Sequence, residues 1–203
     1  TFNAGSAWVD IQGITAHPMS SKGQLLNPIL VAHDFIGMLD RGQTPEFTEK
    51  TEGFVWVNGI QGGPAKCRVS LKLRDHSLKR YEEKKTLIRA IVDCLRVRYP
   101  RAKINLTIED VYGNIADAIK PENSACIDML RRAMEIEHVT VKDIAMRGGT
   151  DGSFISTQGI PTPNYFTGAH NFHSACEFMP MSSWLKSLAV TLRLVELAAG
   201  VTK

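Results

Sequence analysis

The segment GGPAKCRVSLKLRD, residues 62–75, decides the fold of the first half of the chain. Every second residue from Cys67 to Leu73 is apolar and those between are polar or basic, which predicts a strand with one buried face. The preceding stretch from Phe54 to Gln61 is also typical of a strand. Gly62-Gly63-Pro64 lies between the two and has the composition of a tight turn. The sequence therefore predicts a β-hairpin.

Before this hairpin the sequence predicts one strand and one helix. Apolar and polar residues alternate from Ala7 to Gln12, which is the pattern of a strand. A helix is expected to begin at Asn27-Pro28 and to end near Gly42, because a capping residue followed by proline suits a helix start and glycine suits its end. The residues that recur at helical spacing in this segment are Ile29, Leu30, His33, Ile36 and Leu39.

After the hairpin a long helix and a last strand are expected. Ser77 suits the cap of a helix that ends before Pro100. Alternating apolar residues from Ile104 to Ile108 predict the strand. The order strand-helix-strand-strand-helix-strand is that of the split βαβ or ferredoxin-like fold, an α/β arrangement with two helices on one face of a sheet. This fold by itself implies no function.

The second half differs in pattern, so two domains are predicted, at residues 1–113 and 114–203. Helix and strand signals alternate here as in an α/β layer, although two short strands would make a poor sheet alone. The expected elements are a helix at Asn123 to Glu137, a strand at Val141 to Ala145, a glycine-rich loop at Gly148 to Gly152, a strand before Phe166, a loop at Gly168 to Pro180 and a helix from Ser183 to Ala199. The expected core stripe of that helix is Trp184, Leu185, Leu188, Leu192 and Val195.

The composition, with 43% hydrophobic and 22% charged residues, is that of a soluble globular protein. The 24 basic and 21 acidic residues are interspersed, so no basic stripe indicates nucleic acid or an anionic membrane as a partner. Four cysteines without CxxC spacing favour reduced thiols in a cytoplasmic protein over a disulfide framework. No apolar run approaches the roughly 20 residues that cross a bilayer.

Histidine and glycine are concentrated in GAHNFHSACEF, residues 168–178, which combines two histidines with a glutamate. Neutral imidazole is a good zinc ligand, and a loop at the end of an element can direct it into a cleft. An HxxH spacing in a loop is not a closed zinc set. The residues alone therefore also fit hydrogen-bonded or surface histidines.

Three other segments contain residue types suited to binding or catalysis. Arg147 precedes a glycine-rich run, where the backbone can approach a ligand and the guanidinium offers a fork for a carboxylate. The alternative there is a tight turn into a helix with Asp151 as its cap. His17 follows the first strand and equally fits a turn residue. Arg74-Asp75 ends a strand, where a salt bridge or a helix cap is the alternative.

In this order and at these separations, the segments resemble the peptidase T family of zinc aminopeptidases. The resemblance runs from end to end and corresponds to about the last half of such an enzyme. The segments that carry it are TFNAGS at 1–6, HPMSSKG at 17–23, LRD at 73–75, RGGTDGS at 147–153 and PNYFTGAHNFHSACEF at 163–178. It implies a ferredoxin-like lid and dimerisation domain, followed by the carboxy-terminal part of a zinc-exopeptidase α/β domain.

The resemblance implies roles for four residues. His173 matches the last zinc ligand of the family, whereas His170 matches none. His17 matches the lid histidine that reaches the partner subunit's active site and helps to polarise the scissile carbonyl. Arg74 and Arg147 match arginines that hold the carboxylate end of the substrate, a task suited to a planar bidentate donor.

The implied function is removal of the amino-terminal residue from short peptides, tripeptides in particular, by a cytoplasmic homodimer with two zinc ions in the whole enzyme. The family's other ligands and its general base lie upstream of Thr1, so this chain alone is predicted to be inactive. Met19 and Ser174-Ala175-Cys176 depart from the family's pattern and leave the exact peptide specificity open. The alternative function is a non-catalytic dimerisation or small-molecule-binding module built on the ferredoxin-like half.

Overall fold

The computed structural model describes residues 1–200, which divide into two compact units. The first, called the sheet unit, comprises Thr1–Asn114 and Ala145–Thr150. The second, called the helical unit, comprises Ile115–Ile144 and the described residues from Asp151 onward, 151–200. The sheet unit is thus built from two separate stretches of chain, and the shorter one contains the start of the glycine-rich segment.

A four-stranded antiparallel sheet organises the sheet unit, with the strands in the order β2-β3-β1-β4. This order is the ferredoxin-like arrangement that the sequence predicts, so the expected fold is confirmed. Most buried apolar side chains of the strands and of both helices belong to one core cluster, so the helices cover one face of the sheet. The elements are β1 Asn3–Gln12, α1 Pro28–Gly37, β2 Phe54–Gly62, β3 Lys66–Asp75, α2 Leu78–Arg98 and β4 Lys103–Tyr112.

Helix α1 begins as predicted, but its fully buried residues are not among those that recur at helical spacing in the sequence. The Asn27 side chain accepts a hydrogen bond from the Ile29 amide at 3.0 Å, which caps the helix start. The helix ends at Gly37 and not near Gly42, and Val31 and Phe35 enter the core while Ile29 is 39% exposed. The segment is apolar almost all round, so spacing alone did not select the face. The observed choice buries a large phenylalanine and keeps the polar ring of His33 in solvent.

A fully buried carboxylate joins the end of β3 to helix α2. Asp75 accepts hydrogen bonds from Lys84 Nζ at 2.8 Å, from the Ser77 amide at 2.9 Å and from Arg80 Nε at 3.1 Å. Burial raises the pKa of Asp75, but these donors outweigh it and the net pKa lies below its usual value. Gly53 packs so closely against this carboxylate that a Cβ there would lie 2.1 Å from Oδ2. The sequence offered a salt bridge or a helix cap as the role of the pair Arg74-Asp75. The structure shows that Asp75 makes both.

The helical unit contains four α-helices among its described residues, and two of them were predicted almost to their ends. They are α3 Ile115–Ala118, α4 Ala125–Ile136, α5 Asp151–Thr157 and α6 Met181–Ala198. The strands expected at Val141 to Ala145 and before Phe166 are wrong. Neither segment has a ladder partner in the described chain, where the pairing in this unit is a single bridge between His170 and Phe178. Helix α5 begins at Asp151, as the turn-into-helix interpretation expects.

The core of the helical unit is small and lies where α4 packs on α6. Leu130 and Ala133 of α4 and Val190 of α6 are its buried members. The predicted core stripe of α6 is wrong for the described chain, because the opposite face of the helix packs on α4. The stripe residues Trp184, Leu185, Leu188, Leu192 and Val195 are 42–61% exposed. Across residues 1–200, no helix combines the length and apolar character that crossing a membrane requires.

Candidate functional site

Arg74 lies near the end of β3 with one edge of its guanidinium already bonded. Its Nη1 donates to the carbonyl of Gly5 at 2.9 Å and to that of Leu73 at 2.7 Å, and the group lies 5.6 Å from the Tyr112 ring centroid. These contacts fix the plane of the guanidinium. Among the described residues, no hydrogen-bond acceptor is assigned to Nε or Nη2. That edge is the fork that pairs side-on with a carboxylate.

Arg147 is held in the same manner by the segment before β2. Its Nη1 donates to the carbonyl of Glu52 at 2.6 Å and more distantly to that of Lys50 at 3.4 Å, and its Nη2 donates to Thr48 Oγ1 at 2.8 Å. The guanidinium stacks over the rings of Phe2 and Phe54, 5.3 and 5.6 Å from their centroids. Nε has no assigned partner within the described chain. The side chain is thus anchored while part of its donor set remains available.

The two arginines lie at the same end of the sheet, on the face opposite the helices. Arg74 is directly opposite Phe54 in the β2–β3 register, so the two side chains share a face. Arg147 stacks on the same phenylalanine. Gly149 approaches Tyr112 so closely that a Cβ would lie 2.0 Å from its ring, which explains why glycine follows Arg147 at this distance. The arrangement suits binding of an anionic group such as a carboxylate.

Aromatic residues that the sequence interpretation missed complete this cluster. Phe2 is fully buried, its ring centroid lies 4.2 Å from that of His76, and it packs edge-on to Phe54 at 5.6 Å. His76 Nε2 lies 3.1 Å from the Met146 carbonyl, next to Arg147. Phe2 directly precedes β1 and His76 directly follows β3. Both continue the alternation of their strand on the face opposite the helices. That continuation is the signal in the sequence that could have indicated them.

His17 lies in an exposed turn after β1. Its Nδ1 accepts a hydrogen bond from the Met19 amide at 3.2 Å and so caps the short 3-10 helix Pro18–Ser20. An accepting Nδ1 carries no proton, so the neutral ring has its proton on Nε2. No described residue is assigned as a partner of Nε2. The turn role considered for His17 is observed, and it leaves a donor directed to the outside of the turn.

One copy of the chain does not bring His17 and the arginines together. Arg74 is opposite Ala4 in the β1–β3 register, whereas the turn to His17 begins beyond Gln12 at the other end of β1. At about 3.3 Å per residue these two points of the strand are about 25 Å apart. A site that uses both ends of the sheet therefore needs residues from more than one copy.

His173 occupies the exposed tip of a loop in the helical unit. Its backbone has φ of +63°, a left-handed conformation that few non-glycine residues adopt, and its amide donates to Glu177 Oε2 at 2.8 Å. The imidazole has no assigned hydrogen bond within the described chain. His170 differs, because its ring stacks on Phe178 with a centroid distance of 5.1 Å. The two histidines of the HxxH segment therefore have different environments.

The described residues supply one candidate metal ligand and not a complete set. No group of three or more His, Cys, Asp or Glu side chains converges among them as a metal ion would require. Tetrahedral zinc sites use three or four protein ligands. The exposed imidazole of His173 fits a ligand contributed to a site that other residues complete.

The sequence matches one protein family and is similar to named peptidases. The model of the peptidase dimerisation domain of M20 peptidases matches residues 1–103. A peptidase T-like protein of Yersinia pestis is 46% identical over 190 residues, which cover 94% of this chain and 46% of that protein. The chain spans about half the length of the curated relatives it matches.

Solved structures share the fold at low sequence identity. A tripeptidase of Staphylococcus aureus aligns with a TM-score of 0.76 at 22% identity, covering 98% of this chain and 52% of that one. A protein of Bacillus subtilis, described as a dinuclear metal-binding peptidase of the M20 family, aligns with a TM-score of 0.68 at 12% identity, covering 99% and 51%. At these identities the alignments support the fold.

Proposed function

Because this chain belongs to the M20 peptidase dimerisation-domain family, as a carboxy-terminal part resembling peptidase T, we propose that it is part of a metallo-aminopeptidase. The proposed reaction is removal of the amino-terminal residue from short peptides, tripeptides in particular. The observation that carries this proposal is the pair of anchored arginines at one end of the sheet, since a site that binds the carboxylate end of a peptide can select short peptides. The proposal includes two domains, a lid and dimerisation domain at residues 1–113 and part of the catalytic domain at residues 114–203.

Arg74 and Arg147 are the proposed carboxylate clamp. Main-chain carbonyls hold one edge of each guanidinium, so little side-chain entropy is lost when a ligand binds to the rest. Aromatic rings beneath the two groups limit their hydration. A carboxylate that bridges the two arginines would receive charge-assisted hydrogen bonds from both.

A homodimer formed through the sheet unit is the proposed assembly. Strand β2 is an edge strand whose Trp56 and Ile60 are 47% and 54% exposed, and Leu30 of α1 is 61% exposed. An exposed apolar edge is suited to pairing with a second copy. In such a dimer His17 of one copy serves the site of the other, where its Nε2–H donates to the developing oxyanion. Leu30→Glu should give monomers in sedimentation equilibrium, while the control Leu78→Glu, 52% exposed on α2, should leave the dimer intact.

His173 is the proposed ligand in a dinuclear zinc site that needs further residues from the whole protein. Bound metal would supply a Lewis acid and an activated water for hydrolysis of the peptide bond. In isothermal titration the 203-residue chain alone should bind zinc no more tightly than a single imidazole. Submicromolar binding that His173→Ala abolishes would contradict the incomplete ligand set. The four free cysteines fit the reducing cytoplasm, which is the proposed location.

The activity can be tested in a chimera that joins the amino-terminal half of the Yersinia pestis relative to residues 1–203. The chimera should hydrolyse tripeptides in the presence of zinc, with the unmodified relative as a positive control. Arg74→Ala and Arg147→Ala should raise KM for tripeptides with a free carboxylate and leave KM for tripeptide amides unchanged. A folded, zinc-loaded chimera without activity on any short peptide would overturn the proposal. Equal changes in KM for tripeptide acids and tripeptide amides would contradict the carboxylate clamp and leave the proposed peptidase activity standing.

A further inference from the structure

The loop that carries His173, residues 170–178, closes on itself. His170 and Phe178 exchange two backbone hydrogen bonds, at 2.8 and 3.2 Å, and their rings stack with an interplanar angle of 16°. The ends of the loop are therefore fixed to each other. These local contacts hold the loop closed without a residue of the small buried cluster of the helical unit.

Short-range hydrogen bonds fill the interior of this loop. The Ser174 amide donates to the Asn171 carbonyl at 3.1 Å, and the Glu177 amide donates to the Ser174 carbonyl at 3.2 Å. Asn171 Nδ2 donates to the Cys176 carbonyl at 3.2 Å. Asn171 and His173 both adopt left-handed φ, +55° and +63°. Such backbone conformations are unfavourable for residues other than glycine and persist only where surrounding contacts stabilise them.

The carboxylate of Glu177 is the contact that stabilises the conformation of His173. Its Oε2 accepts the His173 amide at 2.8 Å, a charge-assisted bond across four residues. The ring that this hydrogen bond closes runs from the His173 amide through the backbone to the Glu177 side chain, so it contains the N–Cα bond of His173 and restrains φ there. The value of φ in turn affects the direction in which the Cα–Cβ bond points. We propose that Glu177 is a positioning residue that holds the imidazole of His173 at the exposed tip of the loop, ready to act as a ligand.

This inference rests on the proposed role of His173 as a metal ligand, and it assigns Glu177 a role that is not ligation. One carboxylate oxygen is bonded to the backbone of the same loop. Among the described residues, Glu177 belongs to no group of three or more His, Cys, Asp or Glu side chains that could hold a metal ion. Residues that orient a metal ligand without binding the metal typically change metal affinity 10- to 100-fold when they are replaced. We expect a change of this size when Glu177 is replaced.

The first experiment needs no metal and uses the 203-residue chain. Cross-correlated NMR relaxation measures φ at His173, and amide hydrogen exchange measures protection of its N–H. Glu177→Ala should move φ to negative values and accelerate exchange of this amide roughly tenfold or more. Glu177→Gln retains an acceptor oxygen, so it should give a smaller change. Glu122→Ala, an exposed glutamate of the same unit, is the control and should change neither. Left-handed φ and slow exchange in Glu177→Ala would overturn the positioning role.

The second experiment measures zinc retention by the chimera with a chromophoric chelator. Glu177→Ala should weaken retention about 10- to 100-fold, Glu177→Gln should restore part of it, and KM for tripeptides should remain unchanged. If His173→Ala releases zinc and Glu177→Ala does not, the positioning role fails while the ligand role stands. If His173→Ala leaves zinc retention unaffected, the ligand role fails and the positioning role fails with it.

Discussion

In the sheet unit, 17 residues from all four strands and both helices form one buried cluster, whereas the cluster of the helical unit has three buried members. The helical unit leaves apolar side chains in solvent instead, among them Leu192 at 57% and Val195 at 61% exposure. Burial of apolar surface stabilises a fold by about 25 cal/mol per Å². The sheet unit therefore has the means to fold as a module, while the helical unit buries much less apolar surface among its described residues.

The same difference determines how each unit fixes its candidate functional residues. In the sheet unit, Arg74 and Arg147 are fixed by sheet register and by stacking on rings at the edge of the core. In the helical unit, His173 is fixed by hydrogen bonds within nine residues of chain. A residue on a self-closed loop keeps its geometry even where the surrounding core is small. The comparison predicts that substitutions in the sheet unit act on global stability.

Asp75→Asn should have the largest effect of any single substitution considered for this comparison. It removes the charge that compensates Lys84, which is itself 9% exposed, and leaves that ammonium buried without a counterion. Loss of one partner from a buried pair costs about 3 to 5 kcal/mol. Urea denaturation at pH 7, followed by circular dichroism, measures the change in the free energy of unfolding.

The matched control is Asp10→Asn, which breaks an exposed bidentate pair with Arg68 on the same sheet. The Asp10 side chain is 38% exposed, and exposed ion pairs contribute at most about 1 kcal/mol. Equal losses in the two variants would show that burial of Asp75 does not govern the stability of the sheet unit.

Leu95→Ala should come next in size, because Leu95 is fully buried in the sheet unit. A cavity of this kind costs about 2 to 5 kcal/mol. Leu192→Ala removes the same atoms from the exposed face of α6 and should change the free energy of unfolding by no more than about 0.5 kcal/mol. Both values come from urea denaturation. A large loss in Leu192→Ala would mean that this face is packed in solution, which would remove the contrast between the units.

Acid should weaken the sheet unit through the same carboxylate. Although burial raises the pKa of Asp75, bonds from Lys84, Ser77 and Arg80 bring it below the usual value. A lowered folded-state pKa gives stability that is present above the unfolded value, about 3.9, and is lost as the pH falls below it. The free energy of unfolding should therefore fall more steeply below about pH 4 in the original chain than in Asp75→Asn. Parallel pH profiles would contradict this assignment.

The elements that could be predicted are those whose sequence pattern fits only one structure. Strict alternation from Cys67 to Leu73 fits a strand with one buried face, and β3 is that strand. The segment of α1 is apolar nearly all round, so its spacing fitted more than one face and did not indicate that Val31 and Phe35 are the buried residues. The segment Val141 to Ala145 has the residues of a strand but lacks a neighbour with which to form a ladder, a property that local sequence does not contain.

The candidate site residues could be named from the sequence, but the contacts that hold them in place could not. The resemblance to a family indicated His17, Arg74, Arg147 and His173, and their functional roles remain predictions. The bond from the His173 amide to Glu177 was missed, because a glutamate four residues after a histidine has the same spacing on any helix. The role of this bond depends on the left-handed φ at His173. Such a φ is rarely indicated by the sequence at a residue other than glycine.

Arg147→Lys should affect stability less than Asp75→Asn or Leu95→Ala, and it tests how the two stretches of the sheet unit are joined. Lysine keeps the charge but replaces a planar fork that bonds to Glu52 and Thr48 by a single flexible ammonium. The contacts are partly exposed, so we expect a loss of about 1 kcal/mol in urea denaturation. The Phe2 amide, which bonds to the Gly148 carbonyl, should exchange faster in the variant. Unchanged exchange at Phe2 would mean that the aromatic contacts of Phe2, Phe54 and His76 are sufficient to hold residues 145–150 in place without the Arg147 fork.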